Sequence, residues 1–119
     1  MKNAIVIDDD DMIRTVIAEL LAKLDFEVDT AEDGWEGVRM VKKGDYNIIL
    51  LDIRMPGVDG EQVLSILNKF DDSLPVLIVS AYLTKERVAK LKKLGVKGFL
   101  TKPIDPKSFN YAVKQISRH

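Results

Sequence analysis

The stretch Ile48-Ile49-Leu50-Leu51-Asp52-Ile53-Arg54-Met55-Pro56-Gly57-Val58-Asp59-Gly60 decides how this chain is read. Four apolar residues run directly into a carboxylate, and a loop rich in Pro and Gly follows. An unbroken apolar run of that kind predicts a strand covered on both faces, hence a central strand of a parallel sheet. Asp52 then falls at the strand's carboxyl end, where open α/β sheets keep their binding crevice. Aspartate also starts turns, so the stretch alone leaves two readings, a turn residue or a site. The flanking sequence has to decide between them.

Working outward, strands and helices alternate. On the N-terminal side Ala4-Ile5-Val6-Ile7 reads as a buried strand that ends in Asp8-Asp9-Asp10-Asp11. Ile13, Val16, Ile17, Leu20, Leu21 and Leu24 then recur at helical spacing, with Asp10 or Asp11 placed to cap the helix. Phe26 to Thr30 alternates apolar and polar, as an edge strand would. Asp33 or Gly34 opens a helix in which Trp35, Val38 and Val41 share a face and Gly44 marks the stop. On the C-terminal side Val63, Ile66, Leu67 and Phe70 mark another helix, and Pro75 to Val79 is a buried strand leading to Ser80-Ala81. Thr84 caps a helix carrying Val88, Leu91 and Leu94 and closed by Gly95. Val96 to Leu100 is the last strand, followed by Thr101-Lys102-Pro103, and a final helix aligns Phe109, Ala112, Val113 and Ile116. Strand and helix alternate five times with short connections, which calls for a parallel sheet with right-handed crossovers and helices on both faces.

Composition excludes several chemistries. The 119 residues contain no cysteine, and the one histidine is His119. Disulfides, thiolate metal sites, cysteine nucleophiles and histidine-based active sites are therefore ruled out. The apolar run at the N-terminus is far too short for a signal peptide, and no stretch approaches the length that spans a membrane. A cytoplasmic protein without membrane insertion is expected. The net charge is −1 but unevenly placed: 8 Lys+Arg against 17 Asp+Glu before Lys85, and 10 against 2 from Lys85 onward. The acidic part would oppose docking on a polyanion, which argues against direct nucleic-acid binding.

Parallel strands share a direction, so the residues leaving their carboxyl ends meet on one rim. Those residues are Asp8, Asp9 and Asp10 from the first strand, Asp52 from the third, Ser80 from the fourth and Lys102 from the fifth. Crowded carboxylates disfavour one another's ionisation. A hard divalent cation resolves that conflict, and Mg²⁺ prefers one or two protein carboxylates plus waters and phosphate oxygens. A lysine and a hydroxyl nearby suit the remaining oxygens of a phosphoryl group. The inventory fits phosphoryl transfer, in which positioning and charge neutralisation dominate. Neither G-x-x-x-x-G-K-[ST] nor G-x-G-x-x-G occurs, so the phosphoryl donor has to bring its own leaving group.

At this point the whole chain resembles the receiver domain of bacterial two-component response regulators, the CheY-like group. The resemblance rests on Val6-Ile7-Asp8-Asp9-Asp10, on Leu51 to Gly60, on Pro75-Val76-Leu77-Ile78-Val79-Ser80-Ala81, and on Gly98-Phe99-Leu100-Thr101-Lys102-Pro103-Ile104. It implies an α/β, flavodoxin-like, doubly wound sheet of five parallel strands in the order 2-1-3-4-5 with five helices. It also implies a single receiver domain over residues 1–119 with no output domain, a signalling protein rather than a conventional enzyme. Asp52 would be the phosphoacceptor, taking its phosphoryl group from a sensor histidine kinase or a histidine phosphotransfer protein. Asp9 would ligate Mg²⁺ directly and Asp8 largely through water, beside Asp52 and the backbone carbonyl of Arg54. Lys102 would contact a phosphoryl oxygen, and its bond to Pro103 is expected to be cis. Ser80 would move to the phosphoryl group and Phe99 would turn into the space it leaves, a phosphorylation switch. Ser80 stands where threonine is frequent, and Phe99 where tyrosine is frequent.

The fourth helix and last strand carry Lys85, Arg87, Lys90, Lys92, Lys93 and Lys97. The receiver resemblance implies that with the fifth helix they form the output face, which leaves two readings, a docking surface for an acidic downstream protein or a solvated helix face. Arg54 and Tyr82 lie two residues after Asp52 and Ser80, where their bulk would slow hydrolysis of the acyl phosphate. Two other classes stay in view. Strand-Asp8-x-Asp10 also resembles the opening motif of haloacid-dehalogenase-type phosphatases with Asp8 as nucleophile, although Met12 stands where threonine or valine is expected. A phosphorylation-independent interaction domain is the other.

Overall fold

A computed structural model describes residues 2–53 and 59–118. Five strands alternate with five helices: β1 (Lys2–Ile7), α1 (Asp11–Lys23), β2 (Phe26–Ala31), α2 (Gly34–Lys43), β3 (Ile48–Leu51), α3 (Gly60–Phe70), β4 (Val76–Ser80), α4 (Lys85–Lys93), β5 (Gly98–Thr101) and α5 (Pro106–Ile116). The strands form one sheet in the order β2-β1-β3-β4-β5, and every neighbouring pair is parallel. This is the flavodoxin-like, CheY-like arrangement that the receiver resemblance implies.

Strand periodicity sorts the core into two layers. Ile5, Ile7, Ile49, Leu51 and Ile78 point to one face, where Val38 and Val41 of α2, Val63, Leu64 and Leu67 of α3 and Leu91 of α4 cover them. Ala4, Val6, Ile48, Leu50, Leu77 and Val79 point to the other, against Ile17 and Leu21 of α1 and Phe109 and Val113 of α5. Both faces of β3 are fully buried, which is why its sequence is apolar without alternation. Each helix has the cap its sequence supplies. Asp10, Asp33, Asp59, Thr84 and Asp105 accept backbone N–H groups at the starts of α1 to α5 in turn. Gly95 closes the turn after α4 at a φ of +90°, a conformation glycine adopts without steric cost.

Three expectations are corrected. Trp35 does not share the buried face of α2 but is 59% exposed, and Phe70 of α3 is 51% exposed. The face that α2 buries is Gly34, Gly37, Val38 and Val41. At 3.6 residues per turn Trp35 lies on the flank of that stripe. The close seat depends on Gly37, where a Cβ would come within 2.6 Å of Ile7 Cδ1. Phe70 ends α3 and lies under the Lys42 ammonium, 5.8 Å from the ring centre. The last strand begins at Gly98 rather than Val96, because Val96 N–H bonds back to Leu91 O while the chain is still leaving α4. No helix among the described residues is long and apolar enough to cross a membrane.

Candidate functional site at the carboxyl ends of the strands

The residues leaving β1, β3 and β5 converge on Ser80 at the end of β4 because the sheet's hydrogen bonding continues one residue past those three strands. Asp8 N–H donates to Ala31 O (3.2 Å), Asp52 N–H to Ile7 O (3.0 Å) and Lys102 N–H to Ser80 O (3.1 Å). Each of these backbones is thereby tied to the strand beside it. Carboxylate oxygens of Asp8, Asp9 and Asp52 lie within 4.8 Å of one another, with Asp8 and Asp52 buried and Asp9 exposed. Lys102 Nζ stands 3.2 Å from Asp8 Oδ2 and 3.5 Å from Asp52 Oδ2. Burial pulls the Lys102 pKa down, but Asp52 and Asp8 raise it by more, so it sits above the ordinary lysine value. The ammonium is fixed as a cation at any physiological pH.

Asp8 is held on several sides. Its Oδ1 accepts Asp10 N–H at 3.0 Å, and its backbone carbonyl accepts Arg14 Nη1 at 2.6 Å. Asp10 Oδ1 caps α1 through Met12 N–H (2.9 Å) and Ile13 N–H (3.2 Å), and Asp11 pairs with Arg14. The four aspartates of the run therefore divide their work. Asp8 and Asp9 face the rim, Asp10 caps, and Asp11 binds an arginine.

Ser80 is fully buried, and its Oγ accepts Tyr82 N–H at 3.1 Å. Phe99 is half-buried on β5, opposite Ile78 in register, while Ser80 pairs with Thr101. The two-residue period of a strand puts Phe99 on the same side of the sheet as Ser80. The Lys102–Pro103 peptide bond is cis. The expected backbone ligand on Arg54 lies outside the described residues.

After Asp52 the chain returns to the rim through α3. Gly60 N–H donates to Ile53 O at 2.7 Å. A Cβ on Gly60 would stand 2.5 Å from Ile53 Cα and 2.8 Å from Asp52 O. Only glycine lets the helix start so close to the site strand. Glu61, next in line, pairs with Lys90 Nζ (3.0 Å) and Arg87 Nε (3.8 Å) of α4. Two of the basic residues expected on a free face of α4 are thus tied to α3, while Lys85, Lys92, Lys93 and Lys97 remain exposed.

The sequence reading passes over Arg14 and Glu61. Glu61 carries no local signal, since its partners lie on another helix. Arg14 did carry one, a cation at the N-terminal end of a helix, where the dipole favours anions.

Three oxygens of this kind at this separation suit a hard divalent cation with open positions for water and phosphate oxygens, and the lysine supplies a second positive group. The profile of the response regulator receiver domain matches residues 4–114. The chemotaxis protein CheY of Halobacterium salinarum is 31% identical over 97% of this chain and 96% of its own length. The transcriptional regulatory protein ZraR of Klebsiella oxytoca is 33% identical over 85% of this chain, which is 23% of its length. Among solved structures, the CheX-CheY-BeF₃-Mg²⁺ complex from Borrelia burgdorferi superposes with a TM-score of 0.93 at 30% identity, covering 97% of this chain and 88% of that one. With the fold, the strand-end cluster and these likenesses in agreement, the chain belongs to the response regulator receiver domains, signalling proteins rather than conventional enzymes.

Proposed function

We propose that this receiver accepts a phosphoryl group on Asp52 from the phosphohistidine of a sensor kinase or histidine phosphotransfer protein, and passes the change to a downstream protein. The observation that carries this reading is the triad of carboxylates within 4.8 Å with Lys102 Nζ at 3.5 Å from Asp52. An Asp52 carboxylate oxygen attacks phosphorus, the P–N bond to the donor imidazole breaks, and the imidazole leaves as a neutral ring whose other nitrogen keeps its proton. Asp8, Asp9 and Asp52 are the residues that would hold Mg²⁺, together with the carbonyl of Arg54. That cation, when bound, neutralises charge on the carboxylates and on the phosphoryl oxygens. Lys102 holds a further oxygen as a permanent cation, which is where electrostatic stabilisation is strongest.

In the switch that follows, the Ser80 hydroxyl leaves the amide of Tyr82 for a phosphoryl oxygen, and Phe99 turns inward on the same side of the sheet. The face made by α4, β5 and α5 then presents a changed surface to its partner, for which its exposed lysines favour acidic chemistry. We place the protein in the cytoplasm and read residues 1–119 as one receiver unit.

Family membership sets aside the phosphatase reading built on Asp8. Intact-mass analysis after treatment with acetyl phosphate and MgCl₂ tests the proposal. One added phosphoryl group on the parent and none on Asp52→Asn is expected. Mass added elsewhere than residue 52, or none at all, refutes it.

A further inference from the structure

A cation near the N-terminus of a helix works against the helix dipole, and a guanidinium that is 12% exposed has lost most of its hydration. Arg14 of α1 has both disadvantages, so its contacts have to account for it. It sits at the end of the first turn, and its side chain leans back toward the helix start, as helical side chains do. That direction brings Nη1 to the Asp8 carbonyl at 2.6 Å and Nη2 to Asp11. The Asp8 carbonyl and the Asp9 N–H belong to one rigid peptide plane. Asp8 N–H is already fixed on Ala31 O, at 3.2 Å. Arg14 supplies the second anchor, on the other side of the Asp8 Cα.

We propose that Arg14 is a positioning residue for the cation site: by holding the Asp8–Asp9 peptide plane it sets the relative aim of the two carboxylates. This rests on the reading of Asp8, Asp9 and Asp52 as cation ligands. The mechanism runs opposite to simple electrostatics. A guanidinium beside the site repels a divalent cation, so on charge alone its removal should tighten binding. As an orienting contact of the kind that supports metal ligands, its loss should weaken binding by roughly tenfold.

The test is calorimetric titration of MgCl₂ into the full chain at constant ionic strength, for the parent, Arg14→Met, Arg14→Lys and Asp9→Asn. Arg14→Met is expected to raise the Mg²⁺ Kd about tenfold. Arg14→Lys keeps the charge but loses the fork that reaches two acceptors, so its Kd should also rise, by a smaller factor. A purely structural role would lower the thermal midpoint and leave the Kd of the folded protein at the parent value. A Met variant that binds Mg²⁺ as tightly as the parent, or more tightly, overturns the proposal. Should circular dichroism show the Met variant unfolded, the Lys variant decides, and parental affinity there overturns it equally. Asp9→Asn separates the two levels. If it leaves the affinity unchanged, the cation-site reading itself fails; if it weakens binding while both Arg14 variants match the parent, only the positioning role fails.

Discussion

Replacing Lys102 with methionine removes one ammonium and keeps most of the apolar stem. In the parent, Nζ lies 3.2 Å from Asp8 and 3.5 Å from Asp52, with side-chain exposures of 19%, 2% and 8% for Lys102, Asp8 and Asp52. At an effective dielectric constant of about 20, each contact is worth roughly 5 kcal/mol of gross attraction. Desolvating the ammonium offsets several kcal/mol of that, and deleting one partner of a buried pair costs a net ~3–5 kcal/mol. Taking ~3 kcal/mol, the thermal midpoint at pH 7 without added metal should fall by roughly 12 °C, at about 4 °C per kcal/mol for a domain near this size. The lysine's pKa is raised by the fold. Its contribution is therefore complete below the unfolded lysine value of about 10.4. It is lost as pH rises through the higher folded value. The deficit of the variant should accordingly stay constant from pH 7 to 9 and shrink only in stronger alkali. Without the ammonium the three carboxylates hold a divalent cation more strongly, so saturating MgCl₂ should close part of the gap by mass action. Differential scanning calorimetry with EDTA and with MgCl₂ measures both effects. A variant as stable as the parent in EDTA, or a gap that MgCl₂ leaves unchanged, would refute the reasoning.

Other consequences follow from single contacts. Gly60→Ala should lower stability by ~1–3 kcal/mol, because the new Cβ meets the backbone of Ile53 and Asp52 at 2.5 and 2.8 Å and backbone gives way poorly. Thermal unfolding and the rate of phosphoryl uptake should both worsen, since the displaced atoms include those of the proposed acceptor. Asp105 caps α5, and hydrogen bonds from the Ser108 backbone and hydroxyl hold its carboxyl below the ordinary carboxylate value. A depressed folded pKa means stability that is present above the unfolded value and lost as pH falls through the folded one. The parent's midpoint advantage over Asp105→Asn should therefore vanish in strong acid; an equal gap at pH 7 and pH 2 would contradict this. Tyr82 is 57% exposed just past Ser80. The double variant Arg54→Ala, Tyr82→Ala should lose its phosphoryl group about threefold faster, under 1 kcal/mol of barrier. A lifetime unchanged by mass-spectrometric decay removes that role.

Much of this molecule is legible in its sequence because both-face burial writes a run such as Ile48 to Leu51 that nothing but a central strand explains. Parallel strands then deliver Asp8, Asp52, Ser80 and Lys102 to one rim without any knowledge of their contacts. What escaped the reading has a common physical origin. Trp35 and Phe70 follow the helical period of the apolar stripes and yet are exposed, and α2 seats itself on Gly34 and Gly37. Periodicity counts side chains, whereas close packing against the sheet favours their absence. Glu61 meets Arg87 and Lys90 only because α3 and α4 lie side by side on one face, which is a matter of topology. The basic half of the chain accordingly looks more available in the sequence than it is in the fold.

The acidic groups at the rim fall into two sets. Asp10 and Asp11 are answered locally, one by the start of α1 and the other by Arg14. Asp8 and Asp52 share the Lys102 ammonium, and the Asp9 carboxylate lies with them, so three acidic groups crowd one point of the rim. Apolar residues in their place would leave the sheet more stable, since buried ionic groups seldom repay their desolvation. In the proposed reaction a divalent cation would offset that crowding, and a phosphoryl group on Asp52 would replace one carboxylate charge with about −1.5 to −2. The demand for the cation therefore rises when the phosphoryl group arrives. By linkage each must favour the other's binding by the same factor. On this proposal the crowded acids cost stability in the resting protein and, for the same reason, give phosphorylation something to act on.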